Sequence, residues 1–242
     1  MPRPARWTAV TFDAVGTLLA LREPVGTTYA RIAAAHGIHA EPRAVEQRFR
    51  RAFAAARPPA LATVAREARE TLERQWWSQL VSAALDIPAP SAVLEAIAAA
   101  CWSHYAEPSA WAVYPEVSRV LARLRDRGLR LAIVSNADRR LAQVLTATGL
   151  AAAVDTVVLS SRVGATKPDP AIFRVALAEL RATARDTVHV GDSLDTDVAG
   201  AGAAGLAVVW LDRRGPSSMT APRDVPRITS LSALPDLLDL LR

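Results

Sequence analysis

Hydrophobic positions change their rhythm twice along this chain. Residues 7–12, WTAVTF, are a short apolar run rich in β-formers with an acid, Asp13, directly behind it. Such a run reads as a buried strand. Over residues 21–111 the texture becomes alanine-rich with apolar side chains at helical spacing. It predicts helices over 25–36, 42–56, 61–85 and 90–105, punctuated by Gly37, Pro58, Pro59, Pro88 and Pro90. No strand is expected there. From Tyr114 onward the periods alternate. PEVSRVLARLRDRG, DRRLAQVLTATG, DPAIFRVALAEL and LDTDVAGAGAAG read as helices, and LRLAIVSN, VDTVVLSS, TVHVGD and LAVVWLD as the strands between and after them. A looser run, RRGPSSMTAPRDVPR at 213–227, precedes a last amphipathic helix, LSALPDLLDLLR. Strands alternating with helices at this spacing argue for a parallel sheet wound on both faces. The expected organisation is therefore one doubly wound α/β domain, residues 1–20 and 112–242, with an all-α block, 21–111, inserted after its first strand.

Composition narrows the function classes. With 51% hydrophobic and 22% charged residues in 242, the chain reads as an ordinary globular protein. No stretch approaches the roughly 18 uninterrupted apolar residues of a membrane span, and MPRPARWTAVTFD lacks a signal-peptide pattern. A single cysteine, Cys101, allows no internal disulfide and fits a reducing cytoplasm. The net charge of +5 does not imply nucleic acid, because 29 bases are interspersed with 24 acids and no basic cluster with interleaved aromatics occurs. One imbalance stands out. Every base but one is arginine, and the single lysine is Lys167.

The polar residues of interest fall at strand ends. Asp13 follows the first strand, Ser135 and Asn136 close LRLAIVSN, Lys167 lies in the loop after VDTVVLSS, and Asp192 closes TVHVGD with Asp195 and Asp197 just beyond. In open parallel sheets ligands bind outside the carboxyl ends of the strands, so these segments are expected to converge on one cleft. A carboxylate with fixed geometry is a nucleophile. Mg²⁺ takes hard oxygens in octahedral array and accepts few protein carboxylates, which suits Asp13 and Asp192. Lys167 would keep Asp13 ionised and bind a transferring anionic group, and the Ser135 hydroxyl would take a phosphoryl oxygen.

In this order, FDAVGTL, VSN, the lysine of ATKPDP, and VGDSLDTD resemble the four motifs of the haloacid dehalogenase (HAD) superfamily. The helical insertion behind the first motif resembles its C1-capped subfamily IA, whose core is Rossmann-like. EPVGTTYARIAAAHG, QWW, WAVYPE and SNADRRL are similar to the branch around an insect rhythmically expressed protein and its vertebrate relatives. The resemblance implies a Mg²⁺-dependent hydrolase acting on a small phosphorylated substrate. Asp13 would be the covalent nucleophile and a metal ligand, and the Val15 carbonyl a second ligand. Ser135, with Asn136 beside it, would bind the phosphoryl group together with Lys167. Asp192 would ligate the metal, and Asp197 would support it directly or through water.

One position departs from the family pattern. Phosphatases of this superfamily commonly carry a second aspartate two residues after the nucleophile as general acid and base, and here Val15 stands in its place. General acid–base catalysis is worth about 10²–10⁴ in rate. Its loss leaves two alternatives to a phosphatase: a binding or regulatory protein on the same fold, or a 2-haloacid dehalogenase, which VGDS disfavours. Other polar and aromatic residues have simpler readings. Asp138 is expected as a helix N-cap and Asp195 as an N-terminal helix acid. Trp76, Trp77, Trp102 and Trp111 are expected to pack within or against the insertion. His104 is the one candidate there for a replacement acid, and His189 reads as a structural residue inside a strand.

Overall fold

The computed structural model describes residues 7–59, 61, 63–215 and 224–241. Two compact units divide the chain, one made of Met1–Ala20 with Val113–Arg242 and the other of Leu21–Ala112.

The first unit is built on a six-stranded sheet. Its strands are β1 (Ala9–Phe12), β4 (Arg130–Ser135), β5 (Thr156–Leu159), β6 (Thr187–Gly191), β7 (Ala207–Leu211) and β8 (Arg227–Ile228). They lie in the order β5-β4-β1-β6-β7-β8, and every pairing is parallel. Two further strands, β2 (Leu19–Leu21) and β3 (Trp111–Val113), pair as a separate ribbon where the chain passes between the units. The continuous apolar runs follow from burial on both sheet faces: all four residues of β1 and the last five of β4 are buried. Helix α8 (Pro170–Leu180) lays Ile172, Phe173, Ala176 and Leu177 against Val134 and Val158 of the sheet and Ala201 of α9 (Ala199–Ala203). Helix α5 (Val117–Asp126) is tied to α10 (Leu234–Leu240) by the Arg127 guanidinium, which donates to Pro235 O at 2.6 Å.

Register positions the site. Phe12, the last residue of β1, pairs with Ile133 of β4 and Val190 of β6. Asp13, Ser135 and Asp192 therefore all emerge at the same edge of the sheet. The chain fills one side of β1 first and then crosses to the other, so this edge is the topological switch point.

The structure refines several expected elements. The run VDTVVLSS is strand only to Leu159, since Ser160–Val163 turns at once into a short helix, α7. The helix expected over LDTDVAGAGAAG opens with a widened turn in which Val198 N–H reaches back five residues to Ser193 O at 3.1 Å. Strands β2, β3 and β8 were not expected, being only two or three residues long. β8 ends the looser run at 213–227, of which residues 216–223 lie outside the described ones.

Among the described residues the second unit has the α-helices α1 (Val25–Ala35), α2 (Pro42–Ala55), α3 (Arg66–Leu85) and α4 (Ala92–His104), followed by a 3-10 turn, Pro108–Ala110. Glu41 caps α2, its carboxylate accepting the Arg43 and Ala44 N–H groups, with Pro42 at the first helical position. Helix α3 begins five residues later than the hydrophobic pattern implies, behind a turn in which Val64 N–H meets Leu61 O. Tyr29, Ile32, Val45, Val81, Leu85, Ile97 and Cys101 interdigitate as its core. The tryptophans pack as expected. Trp102 is buried with Arg74 4.5 Å over its ring, and Trp76 meets Trp77 edge-to-face at 4.9 Å. The Trp111 N–H donates to Tyr105 O.

Candidate active site

Asp13 and Asp197 meet at the sheet edge around the ammonium of Lys167. Asp13 Oδ1 accepts from Lys167 Nζ at 2.5 Å, and the same Nζ donates to Asp197 Oδ1 at 2.6 Å. All three side chains are buried. The loop carrying Lys167 is clamped by Asn136 at the end of β4: Lys167 N–H donates to Asn136 Oδ1 at 2.7 Å, and Asn136 Nδ2 donates to Lys167 O at 2.8 Å. The amide thus holds the backbone of the lysine, a role its place beside Ser135 did not suggest. Ser135 itself is buried as the last residue of β4.

Asp192 completes an acidic group as its solvent-facing member. Asp13, Asp192 and Asp197 each offer a carboxylate oxygen within 4.8 Å of the others. Two glycines make room for these acids. A Cβ on Gly16, whose φ is +91°, would lie 2.4 Å from Asp192 Oδ2, and one on Gly191 would lie 2.3 Å from Asp197 Cγ. The widened turn after β6 folds Asp197 back into the site, where its Oδ2 accepts the Ser193 N–H at 3.0 Å. Asp195, on the same turn, is exposed and outside the acidic group.

Electrostatics follow from three acids facing one base. Burial, reinforced by Asp197 and Asp192 and opposed by Lys167, pushes Asp13 up to about 7. Desolvation and then Asp197 push Asp192 up to about 6. Burial works against Asp197 too, yet the Lys167 ammonium and His189 hold it well below the usual carboxylate range. Burial likewise opposes the charge on Lys167, and the two carboxylates outweigh it and raise its pKa. Positive charge is in deficit. Moreover, Asp13 Oδ2 is buried without a hydrogen-bond partner among the described residues. A buried oxygen left bare costs about 1–3 kcal/mol or more when charged. An orphaned carboxylate oxygen beside two further carboxylates fits a hard divalent cation.

Two residues at this edge lacked a sequence signal. Arg213 spans the loop behind Asp13, donating from Nε to Gly16 O at 3.0 Å and from Nη2 to Thr17 O at 2.6 Å, while Nη1 meets Glu116 Oε1 at 2.7 Å. Its guanidinium lies 3.5 Å over the Tyr114 ring. His189, read as structural, touches the site: Nε2 lies 3.2 Å from Asp197 Oδ1. In the same loop Val15 leaves 40% of its surface exposed, so its side chain is not committed to packing.

Other candidates lie elsewhere. Asp138 is buried against Arg140, accepting from its N–H at 3.0 Å and from its guanidinium at 2.5 Å. His104 belongs to the helical unit, where burial first and Arg31 second lower its pKa. It lines a cavity of about 120 Å³ there with Arg22, Glu23 and Arg31.

Comparison with known proteins identifies the family. The family model for haloacid dehalogenase-like hydrolases matches residues 7–205. Haloacid dehalogenase-like hydrolase domain-containing protein 3 of Mus musculus is 37% identical over 239 residues, covering 96% of this chain and 94% of that one. A phosphoserine phosphatase of Thermus thermophilus is 39% identical over 110 residues, or 45% of this chain and 44% of that one. Among solved structures, a HAD phosphatase from Thermococcus onnurineus superposes with a TM-score of 0.65 at 26% identity, covering 96% of this chain and 97% of that one. The chain belongs to the haloacid dehalogenase-like hydrolase family.

Proposed function

We propose that this hydrolase is a Mg²⁺-dependent phosphatase of small phosphorylated substrates that works through an aspartyl-phosphate at Asp13. The observation that carries the reading is the state of Asp13: one carboxylate oxygen is held by the only lysine of the chain, the other is buried with no partner among the described residues, and the carboxylate stands within reach of two more acids. In the first step an Asp13 oxygen forms a bond to phosphorus as the bond to the leaving oxygen breaks. Lys167 orients the nucleophile and, with Ser135, holds the phosphoryl oxygens. Water then attacks the phosphoryl group, releasing inorganic phosphate and restoring the Asp13 carboxylate. Held by Asp13, Asp192 and the Val15 carbonyl with Asp197 behind them, Mg²⁺ would offset the surplus of acid and stabilise charge on the transferring group. Asn136 serves this step by fixing Lys167. The helical unit, in the same reading, is the cap that selects the substrate, and the single cysteine suits a cytoplasmic setting.

Val15 shapes the chemistry. Valine moves no proton, so the leaving group must depart as a stable anion or take its proton from substrate or solvent. Acyl and aryl phosphates meet that condition best. The same residue favours a second reading, a binding protein that keeps the fold and its cation site without turnover. Dehalogenation is a weaker third, because it needs no cation and leaves Asp192 beside Asp13 without a role.

Hydrolysis of one aryl and one alkyl phosphate, with Mg²⁺ and with EDTA, separates these readings. Turnover that needs Mg²⁺, favours the aryl ester and vanishes in Asp13→Asn supports the phosphatase. Mg²⁺ binding without turnover supports the binding protein. Halide release from a 2-haloacid in the presence of EDTA supports the dehalogenase.

A further inference from the structure

Strand β6 carries a fully buried histidine that the reaction above does not use. Both ring nitrogens of His189 face side chains: Nε2 lies 3.2 Å from Asp197 Oδ1 and Nδ1 lies 2.8 Å from Thr11 Oγ1. Thr11 and His189 are register partners across β1 and β6, so the sheet itself sets their contact. Phe173 meets the imidazole edge-on at 5.0 Å and fixes the plane of the ring. Thr11, His189 and Asp197 are all at most 1% exposed, which leaves no route for bulk water to replace either bond.

The polarity of this chain follows from the chemistry of its ends. A carboxylate only accepts, so the hydrogen between His189 and Asp197 sits on Nε2. In a neutral imidazole Nδ1 is then an acceptor, and the Thr11 hydroxyl must donate to it. At the far end Asp197 Oδ1 receives both His189 and Lys167, Oδ2 receives the Ser193 N–H, and Lys167 passes on to Asp13. We propose that Thr11 and His189 are a positioning pair: Thr11 selects the Nε2–H tautomer, His189 fixes Asp197, and Asp197 fixes the ammonium of Lys167 against the nucleophile. Neither residue touches the reacting atoms. The kinetic part of this inference rests on the phosphatase reading, and the structural part stands without it.

Because the chain has a single lysine, protein labelled with [¹⁵N]lysine on the side chain gives one ammonium signal, a probe of Lys167 that needs no turnover. In Thr11→Val, which keeps the volume and loses the hydroxyl, that signal should shift and exchange faster with water, and Thr11→Ser should bring it back. Histidine ¹⁵N spectra should show His189 protonated on Nε2 and bare on Nδ1. With an aryl phosphate and Mg²⁺, Thr11→Val should lower kcat by about tenfold at unchanged KM, and His189→Leu by about 100-fold, the range expected for partners of site ligands. His189→Gln, which retains an N–H near the Nε2 position, should recover part of that loss. The double variant Thr11→Val, His189→Leu should be no worse than His189→Leu alone. A lysine signal that does not move in Thr11→Val overturns the relay whatever kcat does, and His189 protonated on Nδ1 overturns the tautomer assignment. Should His189→Leu fail to fold, the Thr11 variants still decide. If the wild type turns over no phosphate ester, the phosphatase reading falls, while the lysine and histidine signals still decide this one.

Discussion

Two groups of charged side chains with buried members, both in the α/β unit, are built differently. At the start of helix α6 (Arg140–Ala147), Asp138 and Arg140 set a carboxylate against a guanidinium, joined at 2.5 and 2.8 Å with about 8% of each side chain exposed. At the sheet edge, Lys167 faces Asp13 and Asp197 at 2.5 and 2.6 Å, with Asp192 close behind. The first group is matched in sign and needs nothing further to be stable where it is. The second holds three acids to one base, and two of those acids have pKa values pushed up to about 7 and about 6. A fold maintains such a surplus only against a cost, which is why strongly perturbed acids in a cleft mark functional sites and matched buried pairs do not.

Replacing one member in each group tests that contrast most sharply. Asp13→Asn removes the proposed nucleophile together with one of three mutually repelling charges. Turnover should fall on the order of 10⁴-fold or more, while the melting temperature holds or rises. Residual activity near that of the wild type would break the reading of the acidic group. Arg140→Met does the opposite: it takes the guanidinium away from the buried Asp138 carboxylate and should cost about 3–5 kcal/mol of stability. Measured per folded molecule, kcat should not change. A kinetic loss in Arg140→Met at full folding would mean the matched pair also serves the site.

Acidity sharpens the comparison further. In the cation-free protein Asp13 binds its proton up to about 7 and Asp192 up to about 6, against 3.8 for each as an ordinary carboxyl. Between those limits the native state holds protons that the unfolded chain has released, so these two groups make stability fall as pH rises. Asp197 is shifted the other way, and its contribution is lost only on acidification below the ordinary carboxylate range. In the phosphatase reading Mg²⁺ would compete with the protons on Asp13 and Asp192. It should therefore raise the melting temperature more at about pH 8 than at about pH 5.5. Equal increments at both pH values would show that the cation binds elsewhere.

The sheet and the acids at its edge were legible because a strand buried on both faces reads as an unbroken apolar run, against which Asp13 and Asp192 stand out. Lys167 was legible through its rarity and its place in ATKPDP. The rest depends on contacts that sequence distance hides. Arg213 is one arginine among many, and the carbonyls it holds are 197 and 196 positions away. His189 looked like core because its partner Thr11 lies 178 residues earlier, with the register of two parallel strands bringing them together. Spacing alone did not separate Asp195 from Asp197. The five-residue turn does, by aiming Asp197 inward and leaving Asp195 in solvent.

The smallest expected effect concerns the one position where the acidic group lacks a member. Val15 is 40% exposed and packs little, so Val15→Asp should change stability by no more than about 0.5 kcal/mol. Its kinetic effect depends on the substrate. An aryl phosphate releases a stabilised aryloxide and gains little from a general acid, whereas an alkyl phosphate releases an alkoxide that needs a proton as its bond to phosphorus breaks. A full acid–base residue is worth about 10²–10⁴, and a carboxyl newly placed, without partners to tune it, should recover only about tenfold of that for the alkyl ester. The ratio of alkyl to aryl turnover should therefore rise while aryl turnover stays level. A fourth acid also adds to the surplus, so the gain should come with a higher pH for the acidic limb of the rate profile, as the new charge raises its neighbours further. An unchanged ratio would mean that the leaving group already receives its proton from a group other than residue 15, which makes the substrate itself the first place to look.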